Sequence, residues 1–320
     1  MPTSASKAPA GPVGDELLAD IARRYYLDDV SKVDIAHSLG LSRFKVARCL
    51  ELARAKGIVK ISVATPATTN GPLSERLAER LGLAGCLVVD TTGGARNARE
   101  QVAGAAARAL PGLLDDGDLL GLTWSRTVER MVELLAELPH CSVVQLAGSF
   151  SPTYGDGLDL VHRAARISGG VAHAVPAPLV VDDPGVAAAL RRQPGIAETL
   201  RMADRLDVSV VSIGAWKVGC STVWDAVPAS VQEDGTRAGA VAEVSGRLLD
   251  ADGNTVESML DHLVVSASVE QLKGPAQRVA LVGGADRAAP TVAAVRAGLV
   301  STLVTTAHVA RAVLRMPRSA

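Results

Sequence analysis

Hydrophobic positions at the start of the chain mark three short helices. From Asp15 to Tyr26, the residues Leu17, Leu18, Ile21, Ala22 and Tyr25 recur at helical spacing. A second helix is predicted from about Lys32 to Leu39, with Ser31 as N-cap and Asp34 three residues on in a capping-box-like place. Gly40 stands where a left-handed C′ residue belongs. Ser42 then caps a third helix, which runs from Arg43 to about Lys56 and stops at Gly57. Ile35, Ala36 and Leu39 on the second helix and Val46, Cys49, Leu50 and Ala53 on the third form apolar faces. They must close on Leu18, Ile21 and Tyr25. The β-branched run Ile58–Val63 predicts a strand.

A breaker-rich stretch at 64–72, ATPATTNGP, ends this pattern. Beyond it, helical segments alternate with short apolar runs at Cys86–Asp90, Leu119–Thr123, Ser142–Ala147, Val171–Val175, Val208–Ile213, Ala242–Leu248, Leu263–Ser266, Arg278–Val282 and Leu299–Val304. Such alternation predicts βαβ units and a mostly parallel sheet. The expected fold class is α/β: a small N-terminal winged helix-turn-helix, then a Rossmann-like, mostly parallel α/β domain. The expected division is a flexible tail at 1–14, the helix-turn-helix at 15–65 and the larger domain at 73–320.

Composition narrows this picture. A hydrophobic content of 48% in 320 residues supports a sizeable core and excludes a disordered chain. Aromatics are only 2%, so Ala, Val, Leu and Gly fill that core and favour close helix-on-sheet packing. The net charge of -1 is uninformative, but its distribution is not. Residues 1–65 carry ten Lys/Arg against seven Asp/Glu, whereas the rest carry 23 against 27. Cys49, Cys86, Cys141 and Cys220 form no close pair and read as reduced, buried residues. The six histidines show no metal spacing. No P-loop, no GxGxxG and no Ser/His/Asp order stands out, so neither a cofactor nor a metal is expected. No apolar run is long enough to span a membrane, and the first 14 residues lack an apolar signal core. A cytoplasmic protein is expected.

Two short helices joined by a tight glycine turn form a helix-turn-helix unit. Its third helix leaves Ser42, Arg43, Phe44, Lys45 and Arg48 at an exposed N-terminal end. Arg48 lies one turn beyond Phe44 and Lys45, so these side chains share a surface. A helix of this width fits the major groove. Arg43, Lys45 and Arg48 then reach guanine edges or phosphates, and Phe44 a thymine methyl. The plain alternative is a small helical subdomain with solvated basic residues.

At this point the chain resembles the SorC family of bacterial sugar-responsive regulators. The tyrosine pair Tyr25-Tyr26, the turn IAHSLGLSR and the exit ARAKGIVKI carry the likeness in the head, and Tyr26 joins the DNA-contacting set. Later blocks extend it over about residues 15–312: GDLLGLTWSRTVERMVELL, VVQLAGS, GAVAEVSGRLLDADG and LVGGADRAAPTVAAVRAGLVSTLVT. The resemblance implies a second domain like sugar-phosphate isomerases in fold, binding a phosphorylated sugar. It further implies a homodimer or homotetramer on a palindromic double-stranded DNA operator. Family members carry Gln near Lys32 and a polar pair where Lys45 and Ala47 stand, departures that imply a different operator.

The larger domain offers an anion site on its own chemistry. The apolar run Leu119–Thr123 feeds Trp124-Ser125-Arg126-Thr127, which opens a helix. Free amides and the positive helix end favour an anion there, with hydroxyls from Thr123, Ser125 and Thr127 and a guanidinium from Arg126. Ser125 as a plain helix cap is the equal alternative from position alone, and the resemblance favours the ligand. Gly283-Gly284, after the run Arg278–Val282, let the backbone approach a ligand, and Arg287 follows where relatives have Lys. Glu243 stands where relatives carry an acid, more often Asp, that binds sugar hydroxyls. Gln145 ends a run and is expected to face the same pocket. Ala147 replaces the Asn or basic residue of relatives, and without a lysine there covalent capture of an aldehyde is excluded. Two rival classes stay open: a sugar-phosphate isomerase-like enzyme with an appended head, for which Glu243 is the one candidate base, and a DNA-binding scaffold whose larger domain only oligomerises.

Overall fold

A computed structural model describes residues 14–59, 68–91, 94–150 and 157–317. The chain divides into two compact units, Met1–Ala64 and Thr65–Ala320. In the first, α1 (Asp15–Tyr26), α2 (Lys32–Ser38) and α3 (Arg43–Ala55) follow the predicted bounds within one residue. Leu18, Ile21, Ile35, Val46 and Ala53 are wholly buried together, with Tyr25, Tyr26, Leu39 and Val59 packed around them. The turn is fixed by local chemistry. Ser31 Oγ accepts from the Asp34 amide at 3.2 Å. After α2, Gly40 adopts φ +63°, its amide reaches the His37 carbonyl at 3.4 Å, and the Leu41 amide reaches the Ala36 carbonyl at 2.8 Å. This is a Schellman ending, and the left-handed residue in it favours glycine. Ser42 Oγ then accepts from the Lys45 amide at 3.2 Å to start α3. Of the expected strand Ile58–Val63, Ile58 and Val59 form a bend in which the Val59 amide turns back to the Ala53 carbonyl at 3.1 Å. Residues 60–63 lie outside the described residues.

The second unit holds an eight-stranded sheet and a three-stranded one. The strands are β1 (Thr68–Thr69), β2 (Gly85–Asp90), β3 (Leu119–Leu122), β4 (Ser142–Gln145), β5 (Ala172–His173), β6 (Val208–Ser212), β7 (Gly214–Ala215), β8 (Ala242–Val244), β9 (Arg247–Leu249), β10 (Gln277–Val282) and β11 (Thr302–Thr306). The large sheet has the order β1-β2-β11-β10-β6-β3-β4-β5, parallel throughout except for the β1–β2 pair. Side chains of one strand serve opposite faces. Val279 and Leu281 of β10 enter one core with Val102, Val128, Met131 and Val161. Ala280 and Val282 enter the other with Leu77, Ala293 and Val309. A period of two with apolar residues on both sides is the mark of a sheet covered by helices on each face. Among the described residues, no helix is long and apolar enough to cross a membrane.

Three expected strands are corrected. Ala242–Leu248 is not one strand but the hairpin β8–β9, because Ser245 (φ +54°) and Gly246 (φ +76°) make a two-residue turn with both φ positive. Leu263–Ser266 forms only isolated bridges, Val180 to Val264 and Ala147 to Ser266. Leu299–Val304 begins late, at Thr302, because Leu299 and Val300 are spent in the buried turn before it.

The order of the sheet sets where a ligand can sit. From β3 the chain steps outward to β4 and β5, then returns to the other side of β3 with β6 and continues to β10 and β11. Between β3 and β6 the direction of winding reverses. Loops leaving the carboxyl ends of those two strands diverge there and leave a crevice.

Candidate functional site

A cleft of about 340 Å³ opens at that reversal. Thr123 to Thr127 line it after β3, Ser212 to Gly214 after β6, and Gly283, Gly284 and Arg287 after β10. Glu243 and Ser245 of the hairpin, with Ser221, close it from the small sheet.

After α4 (Gly71–Leu81) and α5 (Ala95–Ala109), the helix α6 (Arg126–Leu134) starts in this cleft. Ser125 is its N-cap: its Oγ accepts from the Val128 amide at 3.1 Å and shares a 2.7 Å hydrogen bond with Ser212 Oγ. That hydroxyl therefore serves both as a cap and as a tie across the reversal. The amides of Arg126 and Thr127 precede the first intrahelical bond and are the natural anion donors. Thr123 is buried, and its Oγ1 points back to the Val210 carbonyl at 3.5 Å. The Arg126 side chain is exposed at the rim.

Glu243 lies 7% exposed in the floor. Its Oε1 accepts from the Gly246 amide at 2.6 Å and its Oε2 from Ser221 Oγ at 2.9 Å. Burial pushes its pKa up, against the pull of those two hydrogen bonds and of Arg287. The chain packs tightly around it. A Cβ on Gly214 would stand 2.9 Å from Glu243 Oε2, so glycine is the residue that fits there. The Arg287 guanidinium donates to the Cys220 carbonyl, and burial lowers its pKa. Beside it, Lys217 Nζ and Asp286 Oδ2 pair at 2.7 Å. Gly284, at φ +104°, leaves the backbone after β10 bare.

The structure thus brings Thr123, Ser125, Arg126, Thr127, Glu243, Gly283, Gly284 and Arg287 to one cavity. Gln145 is the exception. It is 1% exposed, its Nε2 donates to the Ala147 carbonyl at 2.7 Å and to Ser149 Oγ at 3.2 Å, and its Oε1 accepts from the Val175 amide at 3.0 Å. Its amide is consumed in bracing the chain after β4, so it is not a cleft-lining group. Sequence reasoning missed Ser212, Ser221 and Ser245. Ser221 caps a short helix, Thr222–Ala226, and only the pairing of Gly214 with Glu243 brings it to the acid.

In the first unit, Ser42, Arg43, Phe44 and Arg48 are exposed at the start of α3, with Lys45 half-buried among them. Phe44 is 87% exposed, unusual for an aromatic side chain with a core beside it. Tyr26 is half-buried instead, its ring edge-on to Tyr25 at 5.0 Å, and it belongs as much to the packing of the head as to its surface. Among the described residues, no group of three or more His, Cys, Asp or Glu is placed to hold a metal ion.

A helix-turn-helix unit and a doubly wound α/β unit with a polar cleft at its reversal point together define a two-part protein of the regulator type. The sequence matches the "Putative sugar-binding domain" family over residues 66–315. It is 28% identical to the transcriptional regulator LsrR of Enterobacter sp. (strain 638) over 312 residues, covering 94% of each chain. It is 24% identical to the sorbitol operon regulator of Klebsiella pneumoniae, over 93% of this chain and 98% of that one. The full-length crystal structure of the Klebsiella pneumoniae sorbitol operon regulator SorC shares the fold, with a TM-score of 0.70 at 22% identity, over 94% of this chain and 99% of that one. The chain belongs to this sugar-binding-domain family of SorC-type, sugar-responsive transcriptional regulators.

Proposed function

We propose that this regulator binds a phosphorylated sugar in the cleft at the β3–β6 reversal and that binding changes its affinity for a DNA operator. The observation that carries this reading is the convergence, on one cavity, of the α6 amino terminus, Arg287 and the buried acid Glu243. A helix start and a guanidinium suit a phosphate, and a carboxylate suits vicinal hydroxyls. The domains act as divided above, with DNA contacts from Tyr26, Ser42, Arg43, Phe44, Lys45 and Arg48. Two copies in a dimer or tetramer set two such helices on the half-sites of a palindrome. The protein works in the cytoplasm, where sugar phosphates are held, and it binds its ligand without turning it over.

The mechanism is a shift of populations. A ligand moves the equilibrium only by as much as it prefers one arrangement over the other. The test is calorimetric titration of the full chain with a panel of sugar phosphates and their unphosphorylated parents. The expected result is binding of at least one phosphate ester, a much weaker or absent signal for its parent, and loss of binding in Arg287→Ala. Equal binding of ester and parent would overturn the phosphate assignment.

A further inference from the structure

Aromatic side chains are scarce in this chain, and most of those described pack against another ring. Tyr25 meets Tyr26, Trp124 meets Phe150 and Trp216 meets Trp224, with ring centres 5.0 to 5.3 Å apart. Phe44 stands apart from these pairs. Among the described residues it is the most exposed large apolar side chain, at 87%. Its place on α3 explains why. Val46, Cys49, Leu50 and Ala53 form the buried face of that helix. At about 100° per residue, Phe44 lies roughly 180° from Ala53 and roughly 160° from Val46, so it points directly away from the core.

The residues around the ring indicate what it faces. From Ser42 to Leu50 the chain carries Arg43, Lys45 and Arg48 and no acid. Arg43 and Arg48 are exposed, and Arg48 lies one turn beyond Phe44. The centre of a protein interface is depleted in charge, so an apolar protein partner fits poorly here. DNA fits well. Phosphates flanking the major groove take the cations, and the second residue of a recognition helix reaches the base edges between them. A phenyl ring neither donates nor accepts a hydrogen bond. Against the polar edge of a base it would displace water and return nothing. The apolar group that the major groove displays is the C5 methyl of thymine.

We infer that Phe44 is a methyl reader. It fixes a thymine in each operator half-site, and a 5-methylcytosine at the same place supplies the same contact. A site with cytosine there then responds to cytosine methylation. The inference rests on the reading of α3 as the DNA-contacting helix and adds the group on the DNA that it selects.

Single methyl groups test it. The full chain selects its operator from random duplex DNA, and fluorescence anisotropy measures binding of the selected duplex. Each thymine is then replaced in turn by uracil, which removes the methyl and keeps the pairing. The expected result is one thymine per half-site at which uracil weakens binding by about fourfold, the worth of one buried methyl-sized group. In Phe44→Ala, a change at an exposed position that leaves the core intact, thymine and uracil at that place bind alike. Phe44→Leu keeps an apolar contact and retains the preference. Cytosine at the same place weakens binding, and methylating it at C5 recovers about fourfold. If no single methyl matters, or if its effect persists in Phe44→Ala, the inference is overturned while DNA binding stands. No recovery on methylating the cytosine overturns the methylcytosine part. If the full chain enriches no sequence, the reading of α3 falls, and this one with it.

Discussion

Glu243 is a buried acid in the cleft of the larger unit. Holding a carboxylate among apolar neighbours disfavours its charge, and burial accordingly raises its pKa. The consequence for stability has a definite sign. A carboxyl whose folded pKa lies above its unfolded value favours the fold below the unfolded value and loses that contribution as the pH rises through the folded one. Near neutral pH the buried charge therefore costs stability. Glu243→Gln keeps an acceptor for the Gly246 amide and a partner for Ser221, and removes the charge. Its unfolding midpoint in urea should gain on the parent protein as pH rises from about 4, near the ordinary glutamate value, toward 8. Parallel curves would show that Glu243 is not the group responsible. The same variant should bind sugar phosphate at least about tenfold more weakly, since a hydrogen bond to a charged group contributes about 1.5–3 kcal/mol. Gly214 belongs to this argument. Its missing Cβ makes room for an acid already pinned by two hydrogen bonds, so the carboxylate cannot simply step aside. Gly214→Ala is expected to cost about 1–3 kcal/mol by overpacking, read as a lowered thermal midpoint.

Among the elements, α3 depends on the two residues before it. Ser42 closes its first turn, and Gly40 sets the left-handed step that aims it. Ser42→Ala should cost the head about 1 kcal/mol through the lost cap. Gly40→Ala should cost a similar amount, about 1 kcal/mol, because a Cβ disfavours φ +63° even where nothing crowds it. Hydrogen exchange of the α3 amides measures both, with α6 of the larger unit as an unaffected reference. These features were legible in the sequence because they are local: a serine, a glycine and an apolar period decide the geometry within a few residues. The switch from helical to alternating pattern located the sheet for the same reason. The hairpin β8–β9 was not legible. From Ala242 to Leu248 small or apolar residues alternate with polar ones, as they would along a single strand, and the turn uses a serine at positive φ, a rare choice that carries no strong signal. Gln145 looked like a cleft residue because it ends a strand at the right edge. Its buried amide is claimed by Ala147, Ser149 and Val175, partners that only the folded chain brings near. Ser212 and Ser221 escaped notice on the same ground, since they meet Ser125 and Glu243 across strands far apart in sequence.

At the scale of the whole molecule, a reader of DNA and a binder of sugar phosphate in one chain constitute a regulator only if the two sites are coupled. Coupling has a thermodynamic signature that does not depend on the route it takes. Whatever factor the ligand imposes on operator affinity, the operator must impose on ligand affinity. Couplings of this kind run to about 1–3 kcal/mol, or roughly 5- to 150-fold. The expectation is that operator DNA, added to the full chain, shifts the dissociation constant of the sugar phosphate by the same factor by which the sugar phosphate shifts that of the DNA. Fluorescence anisotropy gives one side of the cycle and calorimetry the other. Arg48→Ala on the exposed face of α3 should lower DNA affinity while leaving ligand affinity without DNA unchanged. Arg287→Ala should do the reverse. A factor of one on both sides, with each site still binding its own partner, would mean that the cleft and the recognition helix share a chain without sharing a function.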